Sequence, residues 1–422
     1  MKQNFLIPLG IISTLILSAA VPAFAVTATT QKSPTATSTK RSKTKRASAA
    51  TVSRSTTVKR SPAVKSFAGT TSVTAKAVST RGTAAAGKRR VVRRYYSPWD
   101  TPTFADSTYG DVVDGEDLAI RRAAVQALGP YNGSVVVVDP TSGRVMTMVN
   151  QKLALTGAYQ PCSTIKLVAG LAGLSEGIIE RETRLRLSRR ESMNLTTALA
   201  KSNNAYFANV GEKLGFEKIN YYGRLFGLGE KAGINIEGES AGIFPEEKPK
   251  GVPNGMMTSF GEAIGLTPLQ LAAIVSSIAN GGTLYYLQYP RTLAEASSLV
   301  PQVKRQLDIA QQIPEMRPGM MGAVEFGTAR RANYDTSEPI FGKTGTCTDS
   351  RTHLGWFGSF NEVGKSKLVV VVLLTGGKSV NGPVAAGIAG QVYKNLSEAQ
   401  FFTTQQPHAI APTAMIHSGD VR

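Results

Sequence analysis

Pro161-Cys162-Ser163-Thr164-Ile165-Lys166-Leu167-Val168-Ala169-Gly170 sets a hydroxyl three residues ahead of an amine, at the start of an apolar run. The run keeps a helical pattern from Ser163 to Glu176 and meets a stop signal at Gly177. Residues three apart on a helix share a face, so the Lys166 amine can reach the Ser163 hydroxyl. To act as a base the amine must lose its proton, which requires desolvation or a nearby cation to lower its pKa. The spacing alone is a weak signal, because Ser42 and Lys45 repeat it inside a polar, low-complexity stretch.

Two further constellations give the first one weight. Ser202-Asn203-Asn204 lies between an expected helix, Thr196 to Lys201, and an amphipathic stretch, Ala205 to Leu214. Leu195 to Leu214 as a whole reads as one or two helices. Ser192-Met193-Asn194 has the same spacing, but Ser192 is better read as a helix N-cap. The third is Lys343-Thr344-Gly345-Thr346, on a strand entered from Pro339. Strand alternation puts Lys343 and Gly345 on one face, and a glycine there lets a ligand approach the backbone. The three patterns in this order match the S-x-x-K, S-x-N and K-T-G set of the penicillin-recognising serine enzymes.

On these motifs the sequence resembles the transpeptidase domain of penicillin-binding proteins, especially the monofunctional class B type. The resemblance runs from about Gly133 to Leu396 and includes Arg224 to Gly229, Gly238-Glu239, Leu266 to Gln270, Ala279 to Gly282 and Gly355 to Phe357. It implies an α+β architecture of the β-lactamase/transpeptidase type: an antiparallel sheet flanked by helices, with an all-helical subdomain. It also implies acyl transfer on D-Ala-D-Ala stem peptides, with penicillin as covalent inhibitor. Ser163 is then the nucleophile, Lys166 the base, kept neutral in part by Lys343, and Ser202 a proton relay. Asn204, Lys343, Thr344, Gly345 and Thr346 hold the substrate. No metal or organic cofactor is implied. In the family fold the nucleophile helix lies against the K-T-G strand, so Cys162 and Cys347 are expected neighbours and a disulfide pair. A D,D-carboxypeptidase, a serine β-lactamase and an acylated sensor without turnover remain open as alternatives. The E-x-x-L-N pattern of class A β-lactamases does not follow Ser202, which favours a long-lived acyl-enzyme. Class B members usually carry a large pedestal domain before this one, and here the preceding chain is a basic tail, so membership of a division or elongation complex is left open.

Outside the motifs, hydrophobic patterning supports the same class. Gly133 to Asp139 and Arg144 to Val149, joined by Pro140-Thr141-Ser142-Gly143, read as a β-hairpin. Asp114 to Leu128 and Pro268 to Ala279 read as helices, and Ile340 to Thr346, Gly355 to Phe360 and Lys367 to Leu374 as strands. Strands at both ends around a helical block suggest one antiparallel sheet closed by N- and C-terminal segments.

The chain has 422 residues, 48 Lys and Arg against 29 Asp and Glu, and a net charge of +19. The excess is concentrated between Val26 and Tyr95, which hold 17 basic residues and no acidic one, leaving the rest near neutral. Two cysteines and three histidines disfavour a disulfide scaffold, an iron-sulfur protein or a Cys/His zinc site. No later stretch approaches the roughly 18 successive apolar residues of a membrane span, which excludes a multi-span protein.

The apolar start, residues 1–25, reads as a signal peptide with Lys2 in its n-region and Ala23-Phe24-Ala25 as cleavage site; an uncleaved anchor is the alternative. Residues 26–95 are expected to be a disordered basic Ser/Thr/Ala/Lys/Arg tail, too poor in apolar side chains to offset its ordering entropy. Residues 96–400 form the expected folded domain and 401–422 a flexible C-terminal tail. For an exported protein at the extracytoplasmic face of the membrane or in the periplasm, the tail's polyanions are lipid head groups and cell-envelope polymers, and nucleic acid is disfavoured.

Overall fold

The computed structural model describes residues 101–234, 236–363 and 367–404. The signal, the basic tail and the Ser42/Lys45 decoy lie outside the described residues.

The first helix is α1 (Leu118–Leu128), shorter at its start than Asp114 because Asp117 caps it by accepting from the Ala119 and Ile120 N–H groups. It leads into the hairpin β1 (Gly133–Val138) and β2 (Val145–Val149), then α2 (Gln151–Thr156). A 3-10 turn, Cys162–Ile165, precedes α3 (Lys166–Ser175), so the expected single helix is divided at Lys166. A small ribbon, β3 (Leu185–Arg186) with β4 (Ser192–Met193), follows. Ser192 is therefore a strand residue, and the cap of α4 (Leu195–Ala200) is Asn194, whose side chain accepts from the Thr197 N–H. The next helix, α5 (Asn204–Leu225), breaks at Gly215, where φ is 71°, and α6 (Asn254–Phe260) packs on it. This subdomain is thus helical except for the β3–β4 ribbon.

The helix α7 (Pro268–Ala279) has the expected bounds, opened by a capping box between Thr267 and Gln270, and all twelve of its residues are buried. A second ribbon pairs β5 (Thr283–Tyr285) with β6 (Val303–Gln306) around α8 (Leu293–Ser297), before α9 (Ile313–Glu325). The chain then forms β7 (Ile340–Thr348), β8 (His353–Asn361) and β9 (Val369–Gly376), followed by α10 (Gly382–Glu398). The short helix α11 (Phe401–Thr404) buries Phe402, so the ordered chain runs past residue 400.

The five long strands make one antiparallel sheet in the order β2-β1-β9-β8-β7. Both faces are covered, which is why Val369 to Leu374 is apolar without interruption. Alternation sends Val369, Val371 and Leu373 into a core shared with α3, α5 and α7, and Val370, Val372 and Leu374 into a core shared with α1 and α10. The sheet therefore ends in an open edge at β7, beside the helical subdomain.

Candidate active site

Three chain segments far apart in sequence meet beside β7. Ser163 is half-exposed in the 3-10 turn, while Cys162, Thr164, Ile165 and Lys166 around it are buried. Its Oγ lies 2.9 Å from Lys166 Nζ and 3.5 Å from the Ser259 carbonyl. Ser202 comes from the turn between α4 and α5, and Asn203 caps α5 by accepting from the Tyr206 N–H. Lys343 comes from β7, and its Nζ donates to Ser202 Oγ at 2.8 Å and to the Thr344 carbonyl at 2.9 Å. The two lysines are fully buried, whereas Ser163 and Ser202 are half-exposed and Asn204 and Thr346 exposed. The result is an open groove with an amine-rich floor.

Lys166 Nζ has four oxygens within reach: Ser163 Oγ, Ser202 Oγ at 3.1 Å, the Ser202 carbonyl at 2.9 Å and Asn204 Oδ1 at 2.6 Å. An ammonium has three protons and no lone pair; a neutral amine has two protons and one acceptor site. The ammonium can donate to three of these oxygens, and the neutral form can donate to Asn204 Oδ1 and the Ser202 carbonyl while accepting the Ser163 proton. Burial lowers the Lys166 pKa to about 7. Lys343 is also held well below the ordinary lysine range, first by burial and then by the Lys166 charge. Of the two causes open from the sequence, desolvation and a nearby cation, desolvation is the main one at Lys166.

The backbone is bent to make this arrangement. Cys162 and Ser202 have φ of 51° and 55°, in the left-handed region, and they are two of the five non-glycine residues with positive φ among the described residues. The structure joins Cys162 to Cys347 by a disulfide, with Cα atoms 5.6 Å apart. Gly345 lies between: a Cβ there would stand 3.0 Å from the Pro161 carbonyl and 3.2 Å from Cys162 Cβ, so any larger residue would have to push turn and strand apart by a few tenths of an ångström. Trp356, opposite Gly345 on β8, donates from Nε1 to the Gln160 carbonyl at 2.9 Å and fixes the turn from below.

All eight residues proposed from the motifs border this groove or its floor. Sequence reading missed the Ser259 carbonyl and Thr328, whose Oγ1 lies 2.6 Å from Thr344 Oγ1. Glu239, singled out beside Gly238, is buried and occupied: its carboxylate accepts from the Ala232 N–H at 2.7 Å and from the Gly233 N–H.

Residues 133–394 match the model of the penicillin binding protein transpeptidase domain. The chain belongs to this family. Relatives align over much of the molecule. The chain is 30% identical over 311 residues to stage V sporulation protein D of Bacillus subtilis, covering 64% of this chain and 48% of that protein. It is 23% identical over 369 residues to the peptidoglycan D,D-transpeptidase MrdA of Acinetobacter baumannii, covering 68% and 54%. The chain thus spans about half the length of these relatives. The fold resembles that of Pseudomonas aeruginosa PBP2, solved in complex with WCK 5153, with a TM-score of 0.58 at 23% identity over 71% of this chain and 79% of that one. Among the described residues, no helix is long and apolar enough to cross a membrane.

Proposed function

We propose that the protein is a serine D,D-transpeptidase that cross-links peptidoglycan stem peptides through an acyl-enzyme on Ser163 and is blocked covalently by penicillin. The observation that carries this reading is the 2.9 Å contact between Ser163 Oγ and a fully buried Lys166 whose pKa is lowered to about 7. A base with a pKa near the working pH combines the right protonation state with proton affinity.

Ser163 Oγ attacks the carbonyl of the penultimate D-Ala while Lys166 takes its proton. The tetrahedral oxyanion is held by the backbone N–H groups of Ser163 and Thr346, each donor worth roughly 3 kcal/mol. Ser202, bonded to both lysines, passes a proton to the departing D-Ala amine. Collapse leaves the peptide as an ester on Ser163, and an acceptor amine then displaces the serine, which recovers its proton through the same relay. Asn204 holds the side amide of the donor peptide, and Lys343, Thr344 and Thr346 bind its terminal carboxylate beside Gly345. The absence of an E-x-x-L-N run after Ser202 supports slow hydrolysis, because class A β-lactamases draw their water-activating carboxylate from that pattern.

The protein is exported in this reading, with residues 1–25 as its signal, and residues 26–95 hold it to anionic envelope polymers or lipid head groups. The deciding experiment incubates the purified protein with a D-Ala-D-Ala peptide and an amine acceptor and follows the products by mass spectrometry. A cross-linked product that requires Ser163 is expected. Hydrolysed peptide alone would make the protein a carboxypeptidase.

A further inference from the structure

Thr328 reaches the groove by a route separate from the three motifs. Its N–H donates at 3.1 Å to the carbonyl of Ala200, the last residue of α4 and two residues before Ser202. Its Oγ1 lies 2.6 Å from Thr344 Oγ1 and 3.5 Å from the same Ala200 carbonyl. Gly327 makes the approach possible, since a Cβ there would lie 2.2 Å from the Ala200 oxygen. Thr328 therefore fastens the segment before Ser202 to the strand that carries Lys343.

The neighbouring hydroxyl on that strand is held in a matching way. Gly382, the first residue of α10, donates its N–H to Thr346 Oγ1 at 2.8 Å. A hydroxyl has one proton to give and two lone pairs to offer. Thr346, by accepting from α10, keeps its own proton for the groove. Thr344 has the same need and its available partner is Thr328. Either hydroxyl can be the donor in the 2.6 Å contact, and the Ala200 carbonyl, at 3.5 Å, is at the outer limit as a competing acceptor for the Thr328 proton.

We propose that Thr328 is a positioning residue for the carboxylate end of the acyl donor: its hydroxyl donates to Thr344 Oγ1 and leaves the Thr344 proton for that carboxylate. The inference deepens the transpeptidase reading and rests on its assignment of Thr344 to carboxylate binding.

The test uses the full chain carrying T328V, which keeps the side-chain shape and removes the hydroxyl. Saturation kinetics with a fluorescent penicillin separate the dissociation constant before acylation from the acylation rate constant. The dissociation constant rises about tenfold, as for loss of one hydrogen bond to a charged group, while the rate constant stays within about twofold. T328S restores both. The same penicillin with its carboxylate methylated reacts at equal rates with wild type and T328V, because it has no anion to lose. A purely structural role would slow both ligands alike. An unchanged dissociation constant, an equal loss with both ligands, or failure of T328S to restore binding overturns the inference. If T328V does not fold by circular dichroism, T328A carries the same comparison. Absence of Ser163-dependent acylation in the wild type would instead sink the transpeptidase reading itself.

Discussion

Ser163→Ala removes one hydroxyl from a half-exposed position whose contacts are a lysine amine and a carbonyl at 3.5 Å. It should abolish covalent labelling by fluorescent penicillin and leave the melting temperature nearly unchanged, since little packing is lost. Labelling that survives the substitution would refute the nucleophile assignment. The pH dependence follows from Lys166. With a pKa of about 7, the neutral base disappears tenfold per unit below that value, so acylation should rise with pH to about 7 and then level. A rate that is flat from pH 5 to 8 would contradict Lys166 as base. Stability has its own sign: the folded pKa is lower than the ordinary 10.5, so between the two values the unfolded chain binds more protons. The cost of the buried amine is thus full below pH 7 and fades as pH rises towards 10.5. Lys166→Met should remove that part of the pH dependence, read by denaturant titration at several pH values.

The 3-10 turn and β7 owe their contact to covalent as well as packing forces. The Cys162–Cys347 bridge closes a loop of 185 residues, worth at most about 5 kcal/mol in the chain-entropy model. Reduction should lower the melting temperature. Alkylation of the unfolded, unreduced protein should label no thiol, and two labelled thiols would rule the bridge out. Elements such as α7 and β9 were legible in the sequence, because Thr267-Pro268 and the Val369 to Leu374 run are strong local signals. The 3-10 turn before α3 and the Asn194 cap were not. Both follow from competition between local hydrogen bonds: Thr164 Oγ1 donates to the Pro161 carbonyl at 2.7 Å, and Asn194 takes the Thr197 N–H that Ser192, tied up in the β3–β4 ribbon, cannot reach.

The motif side chains of the site come from residues 163 to 346, and the sheet that supports them is complete between Gly133 and Gly376. Deleting Val26 to Arg90 should therefore leave penicillin acylation intact while reducing retention on anionic vesicles or isolated cell wall, most visibly at low salt. Unchanged retention would reduce the basic segment to a spacer. Assembly of the sheet was legible only in outline. A closure between N- and C-terminal strands could be expected, but the pairing of β1 with β9, Gly133 opposite Leu374, needed the fold. So did the buried Glu116, which accepts from Arg121 at 3.0 Å, from the Met148 N–H and from the Tyr289 hydroxyl, and so ties α1 to the hairpin and to a segment 173 residues away.

From sequence alone came the proposed reacting groups and their order, because S-x-x-K, S-x-N and K-T-G are short-range patterns in which each residue type has a chemical use. The apolar strands and α7 came the same way, since their burial is written as local periodicity. Tertiary structure alone decided the rest: that Lys166 and Lys343 converge on one hydroxyl, that burial is the main cause of the lowered Lys166 pKa, that Glu239 is occupied, and that Thr328 meets Thr344. These are contacts and desolvations between segments far apart in the chain. Their strength depends on a few tenths of an ångström and on the exclusion of water, and no local pattern of residues encodes either.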